Sequence, residues 1–304
     1  MTKSCIDPAK FGVTFSIKQC RNFSVDPDKA LAWLIKQGFR RFRLMSYWNE
    51  HEKQPGVYDF TDLDAQITLI EKAGGVITLC LGARQPRWPE SHWPEWAWKA
   101  DKPVRSAALL DYIATVVERY RSRDCIVSYQ LENEALLLQF GKNPEVDRDR
   151  LRQEYLLIKL LDPTRPIAMS TSTSWGIPVR QPIPDIVAFS YYRIIHGKGG
   201  YSKAFHTPLL HRTRKFLVKQ LLNRPVFIHE LQLEPWVPGG NTPGASKEEQ
   251  DKSMSPAIIQ RNIQLAKKVK AVPIDLWGGE WWYWRHMHRD TSIWKAVKAG
   301  IDAK

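Results

Sequence analysis

The chain has 304 residues, room for one large α/β barrel or two ordinary domains. Its 43% hydrophobic and 25% charged residues are typical of a globular protein, and no apolar run approaches the roughly 20 residues of a membrane span. Four scattered cysteines, Cys5, Cys20, Cys80 and Cys125, offer neither metal-ligand spacing nor a disulfide framework. The net charge of +13 invites a nucleic-acid reading. However, the basic residues are dispersed, with modest clusters at Arg119–Arg123, His211–Lys219 and Lys267–Lys270, and none carries a nucleic-acid motif. A basic solvated surface with no nucleic-acid partner is therefore expected. The start, MTKSCIDPAK, has no apolar core of a secretory signal, so a cytoplasmic location is expected, with export left open.

Lys10–Ser16 reads as a first strand, with Phe11, Val13 and Phe15 alternating. Asp26-Pro27-Asp28 opens a helix through Gln37, closed by Gly38, and Phe39–Met45 is a second strand. A helix capped by Thr61 or Asp62 runs to Lys72. Val76–Leu81 follows, an apolar run suited to a parallel strand covered on both faces. The long Trp- and Pro-rich stretch Gly82–Asp101 reads as a functional loop. Ala107–Tyr120 is a helix, Ile126–Leu131 the fourth strand and Asp147–Leu161 the next helix. Ile167–Thr171 and Ile186–Tyr191 are strands five and six, Leu209–Leu222 a helix and Val226–His229 strand seven. Gly239–Asp251 reads as a polar loop, Pro256–Ala271 as a helix, Ile274–Trp277 as strand eight and Trp294–Ile301 as the last helix. Eight strands alternating with helices, without a linker or repeat, predict a single (β/α)8 TIM barrel spanning residues 1–304. The helix between strands five and six is poorly marked, because Gly176–Pro184 holds three prolines.

In such barrels chemistry sits at the C-terminal ends of the strands. Strand four there ends in Asn133-Glu134, and strand seven in Glu230. Two carboxylates so placed are what acid/base work on a glycosidic bond requires. Strand alternation also makes Glu132 a rival to Glu134, and Glu234 lies just past Glu230. The thirteen tryptophans, many near strand ends, offer flat faces for sugar rings or simply fill the core.

With these two glutamates, Arg43-Leu44 on strand two, Trp277 on strand eight and the stretch Trp48-Asn49-Glu50 … Pro55-Gly56-Val57-Tyr58-Asp59-Phe60, the chain resembles the clan A superfamily of retaining glycoside hydrolases. The likeness runs roughly from Phe11 to Trp294. It implies that Glu134 is the general acid/base and Glu230 the nucleophile of a double displacement on a β-linked oligo- or polysaccharide. It further implies that Arg43 sits beside the nucleophile, that Asn133 binds the sugar 2-hydroxyl, and that a tyrosine ending strand six, Tyr192 or Tyr191, donates to the nucleophile. Trp277, or alternatively Trp281, would floor the sugar subsite. Glu280, Trp48 and Trp88 are further substrate-binding candidates, with Arg84 and Glu50 behind them. No cofactor and no catalytic metal are expected: His286, His288 and His51 do not make a ligand set. Transglycosylation by the same glutamates and a non-catalytic carbohydrate-binding barrel are the alternatives. Which sugar and linkage, endo or exo action, and the oligomeric state stay open.

Overall fold

In the computed structural model, residues 5–137, 141–142, 146–173 and 176–303 are described. Eight strands close into a barrel: β1 (Phe11–Phe15), β2 (Arg41–Met45), β3 (Val76–Leu81), β4 (Ile126–Leu131), β5 (Ile167–Thr171), β6 (Ile186–Tyr191), β9 (Val226–Gln232) and β10 (Ile274–Trp277). All neighbours pair in parallel, and β1 closes the ring between β10 and β2. The helices α1 (Ile17–Asn22), α2 (Pro27–Lys36), α3 (Trp48–His51), α4 (Thr61–Lys72), α5 (Glu95–Lys99), α6 (Lys102–Tyr120) and α7 (Arg148–Leu161) connect the first five strands. After β6 come a hairpin, β7 (Ile194–Gly197) and β8 (Gly200–Lys203), and then α8 (Pro208–Leu222). The helices α9 (Lys247–Met254), α10 (Pro256–Val269), α11 (Gly279–Met287) and α12 (Ser292–Asp302) complete the wrap.

Two departures from the expected pattern have local causes. Among the described residues no helix lies between β5 and β6, where Pro178, Pro182 and Pro184 each remove a backbone donor and bias the preceding residue away from helix. The expected polar loop at Gly239–Asp251 instead gives way to α9 from Lys247. Ser246 caps that helix, its Oγ accepting the Glu249 amide at 3.2 Å.

Between the barrel wall and the helices lies an apolar core that includes Phe42, Leu44, Ile77, Leu79, Leu34, Ile67, Ile113 and Val117, all almost wholly buried. The barrel interior is partly polar. Arg41 donates to Asp275 at 3.0 Å and to Thr78 at 3.2 Å, and Thr78 bonds Ser128 at 2.8 Å. Gly12 makes room for this layer, since a Cβ there would lie 2.2 Å from the Asp275 carboxylate and 2.8 Å from Arg41. The seventh barrel strand, β9, carries one extra residue at His229: Phe189 pairs with Ile228, but Ser190 pairs with Glu230. Such a bulge re-aims the next side chain, here Glu230, at the barrel mouth. No described helix is long and apolar enough to cross a membrane.

Candidate active site

Glu230 lies on β9, with only 4% of its surface exposed. Its Oε1 accepts from Arg43 Nη1 at 2.7 Å and its Oε2 from the Tyr192 hydroxyl at 3.0 Å. Arg43 is wholly buried and gives each nitrogen a different partner: Nε to Gln130 Oε1 at 2.7 Å and Nη2 to Asn133 Oδ1 at 3.0 Å. A planar fork on three acceptors is rigid, and it sets a fixed cation against one Glu230 oxygen. Of the two tyrosines considered, Tyr192 reaches Glu230, whereas Tyr191 turns outward to His211 and the His206 carbonyl.

The end of β4 solves a geometric problem that simple alternation leaves open. Glu132 and Glu134 both have φ of +47°, so the chain is kinked on either side of Asn133 rather than extended. Left-handed backbone at a non-glycine residue costs of order 1–3 kcal/mol and persists only where the surroundings enforce it. Here the Glu132 amide donates to Leu81 at 2.9 Å, the Asn133 amide to Arg84 at 2.6 Å and the Glu134 amide to Ser170 Oγ at 2.7 Å. The Glu132 carboxyl turns away from the mouth and accepts the Ala83 and Arg84 amides. Behind it Glu154 of α7 bonds Arg150 at 2.9 Å, and burial pushes the carboxyls of Glu132 and Glu154 up. Glu132 thus buttresses the loop after β3. Asn133 and Glu134 are left at the mouth.

Gly82, with φ of +104°, lies against this buttress, and a Cβ on it would sit 2.6 Å from the Glu132 carboxyl carbon. The substitution Gly82→Ala is expected to strain the turn and displace Glu132, with a loss of about 2–4 kcal/mol in stability. Thermal unfolding checks this; a melting temperature unchanged within a degree would contradict it.

Glu134 accepts from Ser190 Oγ at 3.0 Å. Burial, followed by the charge of Glu230, pushes its carboxyl up to about 7, against the lowering pull of Ser190, Arg84 and Arg43. The site therefore holds one carboxyl poised to carry a proton at neutral pH beside another held by a fixed cation. Asn133 Oδ1 takes Arg43, Gln130 at 3.1 Å and Ser170 at 3.1 Å, which turns its NH2 group the other way, toward Glu90 Oε2 at 3.2 Å.

The remaining candidates divide. Trp277 is 8% exposed, and the Arg87 guanidinium lies 3.9 Å from its ring centre, so one face is already covered. Arg87 is fixed there by Glu234 at 3.0 Å and Glu280 at 2.8 Å. Glu280 is fully buried, and its other oxygen accepts the Ser16 amide, so it is spent on structure and not available to sugar hydroxyls. Trp281 is fully buried with its indole N–H on Gln250 at 2.9 Å; it cannot floor a subsite. Trp48 is also fully buried, in a cluster with Trp93 at 5.3 Å and Tyr112 at 5.5 Å, because aromatic side chains from α3, the long loop and α6 converge there. These three expectations are corrected. Trp88 is 63% exposed on the loop after β3. Glu50 pairs with Lys18 and Arg21, and Arg84 donates to the Leu137 carbonyl at 2.8 Å.

Sequence reasoning missed Gln130, Ser170, Ser190, Arg87 and Glu90. Gln130, Ser170 and Ser190 had a signal, being polar residues inside mostly apolar strands. Arg87 and Glu90 sit in an irregular loop, where no periodicity aims a side chain. Trp236 also stands near the site, edge-on to Tyr192 at 5.8 Å.

The fold is a closed parallel TIM barrel, similar to those of the clan A glycosidases. The family model for the β-galactosidases of glycoside hydrolase family 42 matches residues 28–155. Among solved structures, xylanase 10B from Thermotoga maritima superposes with a TM-score of 0.64 at 12% identity, covering 97% of this chain and 95% of that one. An endo-β-1,4-xylanase from Gloeophyllum trabeum gives 0.62 at 14% identity, covering 90% and 84%. The β-galactosidase of the haloarchaeon Halorubrum lacusprofundi gives 0.56 at 15% identity, covering 88% of this chain but 52% of that enzyme. The chain likewise spans about half of the exo-β-1,4-mannosidase Op5Man5 from Opitutaceae bacterium strain TAV5, 51% of its length.

Proposed function

We propose that the protein is a retaining β-glycosidase in which Glu230 is the nucleophile and Glu134 the general acid/base. The observation that carries this is the asymmetry of the two carboxyls. Glu230 is clamped by Arg43 and Tyr192, whereas Glu134 is raised to about 7 by burial and by the charge of Glu230. A carboxyl raised toward neutrality beside a second one held by a fixed cation is the arrangement this chemistry uses. The family match over residues 28–155 supports the same class of substrate, a β-linked glycoside.

In the first step a Glu230 oxygen attacks the anomeric carbon as the bond to the leaving oxygen breaks, and Glu134 gives that oxygen its proton. The product is a glycosyl ester on Glu230. In the second step Glu134, now ionised, takes a proton from water, the water oxygen bonds the anomeric carbon, and the Glu230 carboxylate leaves. Arg43 and Tyr192 each occupy one Glu230 oxygen with a single hydrogen bond, which orients the carboxylate and leaves it further lone pairs. Asn133, held by Arg43, Gln130 and Ser170, has an N–H free to meet the 2-hydroxyl as charge develops on the ring.

The test is hydrolysis of a panel of aryl β-glycosides (galactoside, glucoside, mannoside and xyloside), with the product anomer followed by NMR. Cleavage of at least one member with retention is expected. Cleavage with inversion would overturn the nucleophile assignment, and binding of oligosaccharide without any cleavage would leave a carbohydrate-binding barrel.

A further inference from the structure

Glu90 is a third carboxyl at the mouth, supplied by the loop after β3, and the two-carboxylate mechanism gives it no part. It is 6% exposed, with φ of +62°, and its amide closes a tight turn onto the Arg87 carbonyl at 2.7 Å. Its Oε2 accepts from Asn133 Nδ2 at 3.2 Å, and Arg84 Nη2 stands 3.7 Å away. Three donors hold the Asn133 amide oxygen, which leaves its NH2 group facing Glu90. Of its two N–H groups, Glu90 takes one, which fixes the rotation of the amide plane and so the aim of the other.

We infer that Glu90 is a positioning residue for Asn133, and that as a neutral carboxylic acid it aims the Asn133 amide at the sugar 2-hydroxyl without adding a negative charge of its own beside Glu230. This rests on the glycosidase reading above. The electrostatics agree. Burial, then the charges of Glu134 and Glu230, push Glu90 up to about 8, with Arg84 and the Asn133 bond pulling the other way. Glu134 follows β4, Glu230 lies on β9, Arg84 is on the same loop, and Tyr192 after β6 also senses Glu90. A buried carboxyl is tolerated where protonation removes the charge.

The experiment compares wild type, Glu90→Gln and Glu90→Ala on an aryl β-glycoside that the wild type cleaves and on its 2-deoxy analogue. Glutamine keeps a neutral group with a carbonyl that accepts from Asn133; alanine does not. Glu90→Ala is expected to lose roughly 10–100-fold in kcat on the parent glycoside with little change in KM. Glu90→Gln should recover most of that loss, and on the 2-deoxy substrate the Glu90→Ala loss should shrink to about threefold or less. An equal loss on both substrates, or no recovery by glutamine, overturns the positioning role.

A second readout needs no substrate. The folded carboxyl keeps its proton up to about 8, while the unfolded one releases it near 4.5. The native state therefore binds the extra proton across that window, and wild-type stability falls as pH rises through it. Glutamine does not titrate. The gain in melting temperature of Glu90→Gln over wild type should grow from pH 4.5 to about 8 and then level off. A difference that stays flat across the window shows that Glu90 is charged and sinks the inference, even if no glycoside proves to be a substrate and the glycosidase reading itself fails.

Discussion

Glu230→Ala is expected to lower kcat on any cleaved β-glycoside by a factor on the order of 10⁶, the scale of removing a covalent nucleophile. Azide should restore turnover by occupying the space vacated by the carboxylate, and the glycosyl azide should have the inverted configuration, because one displacement then replaces two. The alanine variant also strips Arg43 of its counter-charge in a fully buried position. Breaking such a pair costs about 3–5 kcal/mol, so lost activity alone would not separate chemistry from unfolding. Glu230→Gln separates them. Its amide oxygen still accepts from Arg43 or Tyr192, so circular dichroism should report a folded protein that is still inactive. A folded glutamine variant retaining more than a hundredth of wild-type kcat would mean that the nucleophile lies elsewhere.

The strands were legible because a parallel barrel writes them as short apolar runs, and β3, β4, β5, β6 and β10 begin and end at the expected residues. Period-two alternation alone misled at the end of β4. It grouped Glu132 with Glu134, whereas positive φ at both residues turns the first carboxyl into the protein and the second to the mouth. That kink is enforced by the amide bonds to Leu81, Arg84 and Ser170, all partners from other strands or loops, which no local pattern encodes. The tryptophans misled for a related reason. Composition says that flat apolar faces exist but not which way they point. Trp48 and Trp281 are committed to packing, with their indole N–H groups on Glu52 and Gln250. The capping of α9 by Ser246, with Glu249 three residues on, was legible in principle, since it is the spacing of a capping box.

Glu134→Gln carries the second large effect, and its sign follows from the direction of the shift. In the proposed mechanism Glu134 acts in the first step only while protonated, and burial with the charge of Glu230 holds that proton up to about pH 7. For wild type, kcat/KM on substrates with poor leaving groups should fall tenfold per pH unit above about 7. Glu134→Gln should lower kcat/KM on those substrates by roughly 10²–10⁴-fold and remove the alkaline limb, because glutamine cannot donate a proton. A dinitrophenyl leaving group needs no proton. With it, the first step should proceed at near wild-type speed while water, lacking its general base, attacks slowly; a burst of phenolate followed by slow turnover is the expected trace. Azide should relieve the second step and give a product of retained configuration, opposite to the outcome at Glu230. The hydroxyl of Ser190, 3.0 Å from Glu134, favours the charged form. Ser190→Ala should therefore move the alkaline limb to higher pH while leaving its slope intact. A limb that stays in place in Ser190→Ala and survives in Glu134→Gln would assign the titrating acid to another group, and Glu90, raised to about 8 at the same mouth, would be the first to test.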